Sequence, residues 1–431
     1  MISMDTPTAS SGTSDTPPIV GWRPVAMFLV AALFYLYEFV LRVAPSAMFT
    51  DLMAEFSADA EQLGKLASFY FISYAVLQLP GGALLDRFGP RRLLTFAVML
   101  CAISTFMFGF TQQLWVAYVA RLFIGAGSAF AFISCVKIIT LWFPSRLFST
   151  LAGLTLAIGM LGGVAGQVPV SFALHYMSWR TMFFALGILG VLLGLTIWVL
   201  VQDRQQTEKS WEEKLGFWSC LKVVVSQPAN WAIALYAFLS TAPSDALGGL
   251  WGVAYLEQVH GMDRMTAATA TTMTFVGMAV GSPLIGVISD AWRSRRLPMM
   301  LGGLAATASL CALIYMPHLT FLMAAILFFS FGFFGTYILA FVVAKEMNLP
   351  QYVGTTAGFV NALSNFGSSL LQYGIGYTLV TVSVDPPMVE GHPVYSATDY
   401  HTSLLSVPLF YFLAVLLVFF VIRETFNRKA D

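Results

Sequence analysis

Charge is scarce in this chain of 431 residues: 22 Lys and Arg balance 22 Asp and Glu, so one residue in ten is charged and the net charge is zero. Soluble domains carry about 25% charged residues. The deficit excludes a soluble multidomain enzyme, and the high apolar content excludes a disordered polymer. Without a basic excess the chain lacks what a nucleic-acid binder needs against phosphate, so no nucleic-acid partner is expected. Cysteine is also sparse. Cys101, Cys135, Cys220 and Cys311 stand far apart, with no CxxC and no His/Cys cluster, which excludes a disulfide framework and a zinc site. The five histidines, His175, His260, His318, His392 and His401, lack metal-ligand spacing. No GxxxxGK[ST] loop is present, so ATP is not the energy source. No catalytic constellation appears either. Neither an enzyme, nor a cofactor, nor a metal is expected.

What abounds is apolar. Hydrophobic residues make up 58% and aromatic ones 15%, and the mean hydropathy is +0.76. Twelve runs of membrane-crossing length lie near 24–48, 64–85, 92–111, 114–141, 147–172, 180–201, 229–252, 265–288, 298–316, 320–343, 353–380 and 404–422. The short loops between most of them make neighbours antiparallel. The expected fold is an all-α integral membrane protein with twelve transmembrane helices in two six-helix pseudo-repeats. Its parts are a cytosolic tail (1–21), an N-terminal bundle (22–202), a cytosolic linker (203–227), a C-terminal bundle (228–423) and a second tail (424–431). The first twenty residues are rich in Ser, Thr, Pro and Asp and lack the positive start of a secretory signal; they read as disordered. The linker carries Trp211, Phe217 and Trp218, which suits either an amphipathic surface helix or a flexible connection.

The positive-inside rule orients the helices. With both ends in the cytosol, sixteen Lys and Arg fall inside and three outside (Lys65, Arg180, Arg264), while Arg42, Arg121 and Lys137 fall within helices. A multi-pass inner (plasma) membrane protein with cytosolic termini follows.

The halves repeat. GALLDRFGPRR (82–92) and GVISDAWRSRR (286–296) align with a shift of 204, placing Gly82 on Gly286, Asp86 on Asp290, Arg91 on Arg295 and Arg92 on Arg296. Glycines at 82 and 286 would let helices approach closely. An aspartate at a helix's inner end suits the positive N-terminus of a helix from the other half. Asp86 is therefore expected opposite the eleventh helix near Val353, and Asp290 opposite the fifth near Leu147. Gly82, Asp86, Arg87, Arg91, Gly286, Asp290 and Arg295 form the candidate gate. The first segment closely resembles the loop signature of the major facilitator superfamily, at Gly82, Asp86, Arg87, Gly89, Arg91 and Arg92. RLFIGAG (121–127), WFP (142–144) and WRTMFFALG (179–187) are similar to further signatures of that superfamily. The second copy departs from the pattern, with Ala291 at the basic position and Arg293 at the second glycine. The resemblance implies a secondary transporter that works by alternating access, with helices one, four, seven and ten lining its cavity.

Charges inside the bilayer are costly, so the few present are informative. Glu38 and Arg42 share a face of the first helix, Arg121 and Lys137 lie on the fourth, and Asp245 lies on the seventh. At 1.5 Å per residue, Arg121 and Asp245 each lie roughly 10 Å below the outer helix ends, and Lys137 lies about 24 Å from Arg121. Two readings stay open: Glu38–Arg42 and Arg121–Asp245 neutralise one another as ion pairs, or these groups face a substrate. The candidate substrate ligands are Arg42, Arg121, Lys137, Tyr74, Asn361 and Asn365. Glu38, then Asp245, are candidates for proton coupling, because burial disfavours the charged form of Glu38 while Arg42 favours it. The positive balance favours a carboxylate-bearing solute such as an organic anion, an amino acid or a short peptide, carried with protons by a monomer in the lipid bilayer. Efflux of a drug or siderophore-like metabolite is the alternative. A membrane sensor is a further one, from a different class.

Overall fold

The computed structural model describes residues 21–203, 216–389 and 392–426. The expected N-terminal tail before Gly21, the linker from 204 to 215 with Trp211, and the last five residues lie outside the described residues. Twelve helical rods follow one another. They are α1 (Trp22–Ala47), α2 (Ala60–Phe88), α3 (Pro90–Phe110), α4 (Leu114–Trp142), α5 (Thr150–Ala173), α6 (Trp179–Leu200), α7 (Pro228–His260), α8 (Arg264–Ala291), α9 (Arg296–Tyr315), α10 (Phe321–Met347), α11 (Val353–Val382) and α12 (Ala397–Phe420). Ten of them are long and apolar enough to cross a bilayer unaided, and α7 qualifies together with the helix Phe217–Ser226, which meets it at 87°. The rod α11 is 30 residues long and carries no charge. It falls short in hydropathy because Asn361, Ser364, Asn365, Ser368, Ser369 and Gln372 are spaced along it, all but Asn361 buried against neighbouring helices.

Twelve antiparallel rods return the chain to the face where it began. We call this the terminal face, and the other the far face. Five of the six rods that start at the far face, all but α4, carry their own side-chain caps. Asp59 with Gln62 forms a capping box on α2, and Ser178, Asp263, Thr320 and Ser396 cap α6, α8, α10 and α12. Two rods that start at the terminal face borrow theirs. The Asp203 carboxylate, just past α6, accepts the Arg91 backbone N–H of α3 at 3.0 Å. The Glu424 carboxylate, just past α12, accepts those of Arg295 and Arg296 at α9, at 2.8 and 3.3 Å. The two halves thus repeat a feature that their sequences do not align.

The halves are bound together across the far side. Between α2 and α11, Ser68 Oγ donates to the Ser369 carbonyl at 2.6 Å and Ser369 Oγ donates back to the Ser68 carbonyl at 3.3 Å. A Cβ on Gly64 would stand 2.8 Å from the Gln372 carbonyl oxygen, and one on Gly376 would strike that of Ala60. At the rim, the helix Phe49–Phe56 of the N-terminal half supplies Asp51 to Arg264 of α8 at 2.7 Å. The apolar core divides the same way. A far-side cluster draws on both halves, including Phe49, Leu63, Trp251 and Leu371, whereas Leu94 and Ile138 pack in the N-terminal half and Met299 and Val343 in the C-terminal one.

A candidate anion site

The polar centre is built on α1. Glu38 is wholly buried, and Arg42, one turn on, brings Nη2 to 3.4 Å from its carboxylate. Tyr70 of α2 donates its hydroxyl to Glu38 Oε2 at 2.6 Å and accepts Arg42 Nε at 3.3 Å. Four aromatic rings surround the Arg42 guanidinium: Phe39 at 4.3 Å, Tyr74 at 5.1 Å, and Tyr70 and Phe71 each at 5.5 Å. Ring faces stabilise a cation without neutralising it. Tyr74 thus joins the site through its face.

Arg121 arrives from α4 at the other side of the Tyr70 ring, 4.8 Å from its centre. It is 1% exposed. Its Nη1 donates to the Leu41 carbonyl at 2.7 Å and its Nη2 to that of Arg42 at 3.3 Å, while buried Nε has no partner. The pairing of Arg121 with Asp245 is not formed. Asp245 accepts the Ser368 hydroxyl at 2.6 Å. The depth arithmetic failed there because α7 runs on to His260. Asp245 then lies roughly 22 Å along its rod from the far end, about twice as deep as Arg121.

Asp245 also sits in a π-helical stretch, Ser244–Trp251, that begins after Pro243. Such wide turns in α-helices often mark functional positions. Glutamines from two other rods tie down its carbonyls: Gln372 Nε2 donates to Asp245 O at 2.7 Å and Gln167 Nε2 to Gly248 O at 2.5 Å. Gln167 also donates to Ser46 Oγ and accepts Thr272 Oγ1, so one buried side chain links α1, α5, α7 and α8. Hydropathy gave no sign of the π stretch. Tyr70, Gln167 and Gln372 were visible in the sequence only as polar residues in apolar runs. Asn361 and Asn365 bond to each other, Asn365 Nδ2 donating to Asn361 O at 2.8 Å.

Lys137 does not join the arginines. Its Nζ lies 2.6 Å from Asp86 Oδ1, toward the terminal face. Asp86 makes this ion pair within its own half. Asp290 also pairs within its own half, with Arg295 at 2.6 Å, rather than reaching the fifth helix near Leu147. Arg295 spans Asp290 and Glu346, to which Thr425 donates at 2.7 Å. Its counterpart Arg91 donates instead to the Trp198 carbonyl at 2.9 Å, and Arg87 lies exposed beside Phe88. The gate candidates therefore form two unlike clusters. Gly81, beside the candidate Gly82, packs closely against Ile133, and a Cβ on Gly286 would meet open space. Close helix approach does not explain Gly286. The departure at Arg293 is structural too: it holds φ at 51° where its counterpart Gly89 holds 76°, a left-handed turn that costs a non-glycine residue energy.

Two six-rod halves, closed together on one face and enclosing charged groups on their first, fourth and seventh rods, define a membrane carrier rather than an enzyme. The comparisons agree. Residues 26–372 match the family model described as Major Facilitator Superfamily, and the chain belongs to that family of multi-pass membrane transporters. It is 26% identical to the membrane sensor protein UhpC of Escherichia coli over 84% of this chain and 87% of that one. It is 25% identical to the probable sulfoacetate transporter SauU of Cupriavidus necator, over 84% and 89%. It is 24% identical to the probable galactarate/D-glucarate transporter GarP of Escherichia coli, over 81% and 86%. In fold it is similar to a bacterial homolog of the human lysosomal transporter Spinster in an inward-facing, unoccupied conformation, with a TM-score of 0.78 at 18% identity over 95% and 98% of the chains.

Proposed function

We propose that this protein is a secondary transporter for a small carboxylate- or sulfonate-bearing anion, held by Arg42 and carried with protons by alternating access. One observation carries the reading. Two buried guanidiniums, Arg42 and Arg121, both lie against the Tyr70 ring; Arg42 is paired with the Glu38 carboxylate, and among the described residues Arg121 has no ion pair. Leaving a buried charge uncompensated is costly, so an incoming anion gains what the protein alone leaves unmet. Planar guanidinium suits carboxylate and sulfonate oxygens. The names of SauU and GarP, both acids at neutral pH, support the same class. Glu38 gives up part of its partner when the anion takes Arg42 and then accepts a proton, so solute and proton load together. Asp245 is the second candidate for that step. The termini lie in the cytosol and the carrier acts as a monomer. An efflux pump for apolar drugs would have no use for Arg42 as an anion ligand.

The test is a thermal-shift comparison of purified protein with sulfoacetate, D-glucarate and a neutral sugar. A ligand at a hundred times its Kd stabilises the folded state by about 2.7 kcal/mol. An acid should raise the midpoint of the native protein but not of Arg42→Ala, and should then accumulate in proteoliposomes. Equal shifts with the neutral sugar, or unchanged affinity in folded Arg42→Ala, would sink the anion site. Binding without uptake in any gradient would select the sensor reading that UhpC suggests.

A further inference from the structure

Six of the membrane rods contain a proline beyond their first turn: Pro45 in α1, Pro80 in α2, Pro169 in α5, Pro243 in α7, Pro283 in α8 and Pro408 in α12. A proline has no N–H, so the carbonyl four residues earlier loses its helical donor. In a bilayer no water stands ready to replace it. For Pro45 that carbonyl is Leu41 O, the group that receives Arg121 Nη1 at 2.7 Å. Among the described residues, none of the other five carbonyls in that position, those of Val76, Ala165, Leu239, Ala279 and Leu404, accepts a charged side chain. The second nitrogen of the fork reaches the next carbonyl, that of Arg42 itself.

We infer that Arg121 is a positioning residue. It completes α1 where Pro45 breaks it and thereby fixes the backbone that carries Arg42 and Glu38. The geometry explains three facts together. A charge-assisted bond replaces the missing one, so a buried arginine is retained without an ion pair. The Arg121 guanidinium is spent on carbonyls of α1, which leaves Arg42, of the two, to meet an anion. A shift of α4 against α1 alters the anion ligand through its own main chain, without any contact between Arg121 and solute. The part of this inference that concerns anion affinity rests on the proposed function; the part that concerns α1 does not.

A double-mutant cycle tests it. Pro45→Ala restores an N–H to Leu41 O, so the work of Arg121 becomes redundant. Arg121→Met should lower the ligand-free unfolding midpoint by several degrees in the native background, and by less than half as much in Pro45→Ala. Affinity for D-glucarate or sulfoacetate should fall about tenfold or more in Arg121→Met, the worth of a charge-assisted bond, and largely return in the double variant. If Arg121→Met fails to fold, Arg121→Lys, which reaches one carbonyl but lacks the fork, should show the same rescue in smaller measure. Equal midpoint losses in both backgrounds would overturn the link to Pro45. Affinity that stays lost in the double variant, despite thermal rescue, would make Arg121 a direct anion ligand and overturn the positioning role. If neither acid binds the native protein, the proposed substrate class fails, and the thermal cycle alone decides the role of Arg121.

Discussion

Replacing Glu38 with glutamine should uncouple transport from protons while tightening the hold on the anion. The side chain is fully buried, 2.6 Å from the Tyr70 hydroxyl and 3.4 Å from Arg42. Glutamine keeps an oxygen for Tyr70, so that bond weakens without vanishing. At 3.4 Å the contact with Arg42 is long for a hydrogen bond, so most of what is lost there is attraction between charges. Removing one partner of a buried pair costs about 3–5 kcal/mol, and here it takes from Arg42 the carboxylate it pairs with. An anion bound at Arg42 returns part of that cost. If it returns half, affinity rises at least tenfold, since each 1.4 kcal/mol is a factor of ten. Glu38→Gln should therefore have a lower midpoint without ligand and a larger anion-induced rise than the native protein. In proteoliposomes it should lose accumulation driven by a pH gradient yet keep exchange of labelled anion at equal concentrations. A smaller anion-induced rise would refute the charge argument. Gradient-driven accumulation that survives would move the proton to Asp245.

Two further outcomes follow from the terminal face. Asp86→Asn removes the ion pair with Lys137 far along α4 from Arg121; exchange should slow while equilibrium anion affinity, measured by titration, stays within about twofold, and loss of binding in folded protein would reassign Asp86 to the site. Glu424 is half-buried, which alone would raise its pKa, but Ser294 and the backbone N–H groups of Arg295, Phe426 and Arg296 outweigh this and hold it at about 2. A depressed acid stabilises fully above its unfolded value, about 4.3, and ceases to as pH falls through about 2. The midpoint gap between native protein and Glu424→Gln should be widest near neutral pH and close toward pH 2; a gap that widens on acidification would refute the cap.

The rods were legible in the sequence because a membrane helix announces itself by local composition alone. The pair Glu38–Arg42 was legible for the same reason, since four residues on one helix fix a shared face. What was not legible depended on distance in the chain. Lys137 finds Asp86 across 51 residues, so its own helix gave no hint of a partner. Arg121 spends its charge on main-chain oxygens, which no list of side chains reveals. The repeat exposed Asp86 and Asp290 as equivalents but not their unlike surroundings, because Lys137 and Glu346 occupy positions that the repeat does not match. It was silent on Asp203 and Glu424, which cap equivalent helices from positions 221 apart while the capped arginines are 204 apart.

The closest contacts in the seam between α2 and α11 are made by glycine, serine and bare backbone, beside the apolar cluster that includes Leu63 and Leu371. Hydrating apolar surface raises heat capacity and hydrating polar surface lowers it; in a seam of Ser68, Ser369, Gly64 and Gly376 the two contributions offset each other. Few rotatable side chains are frozen when such a seam closes, so little conformational entropy is lost. These close contacts consequently add little temperature dependence of their own to the balance between a shut and a parted far face.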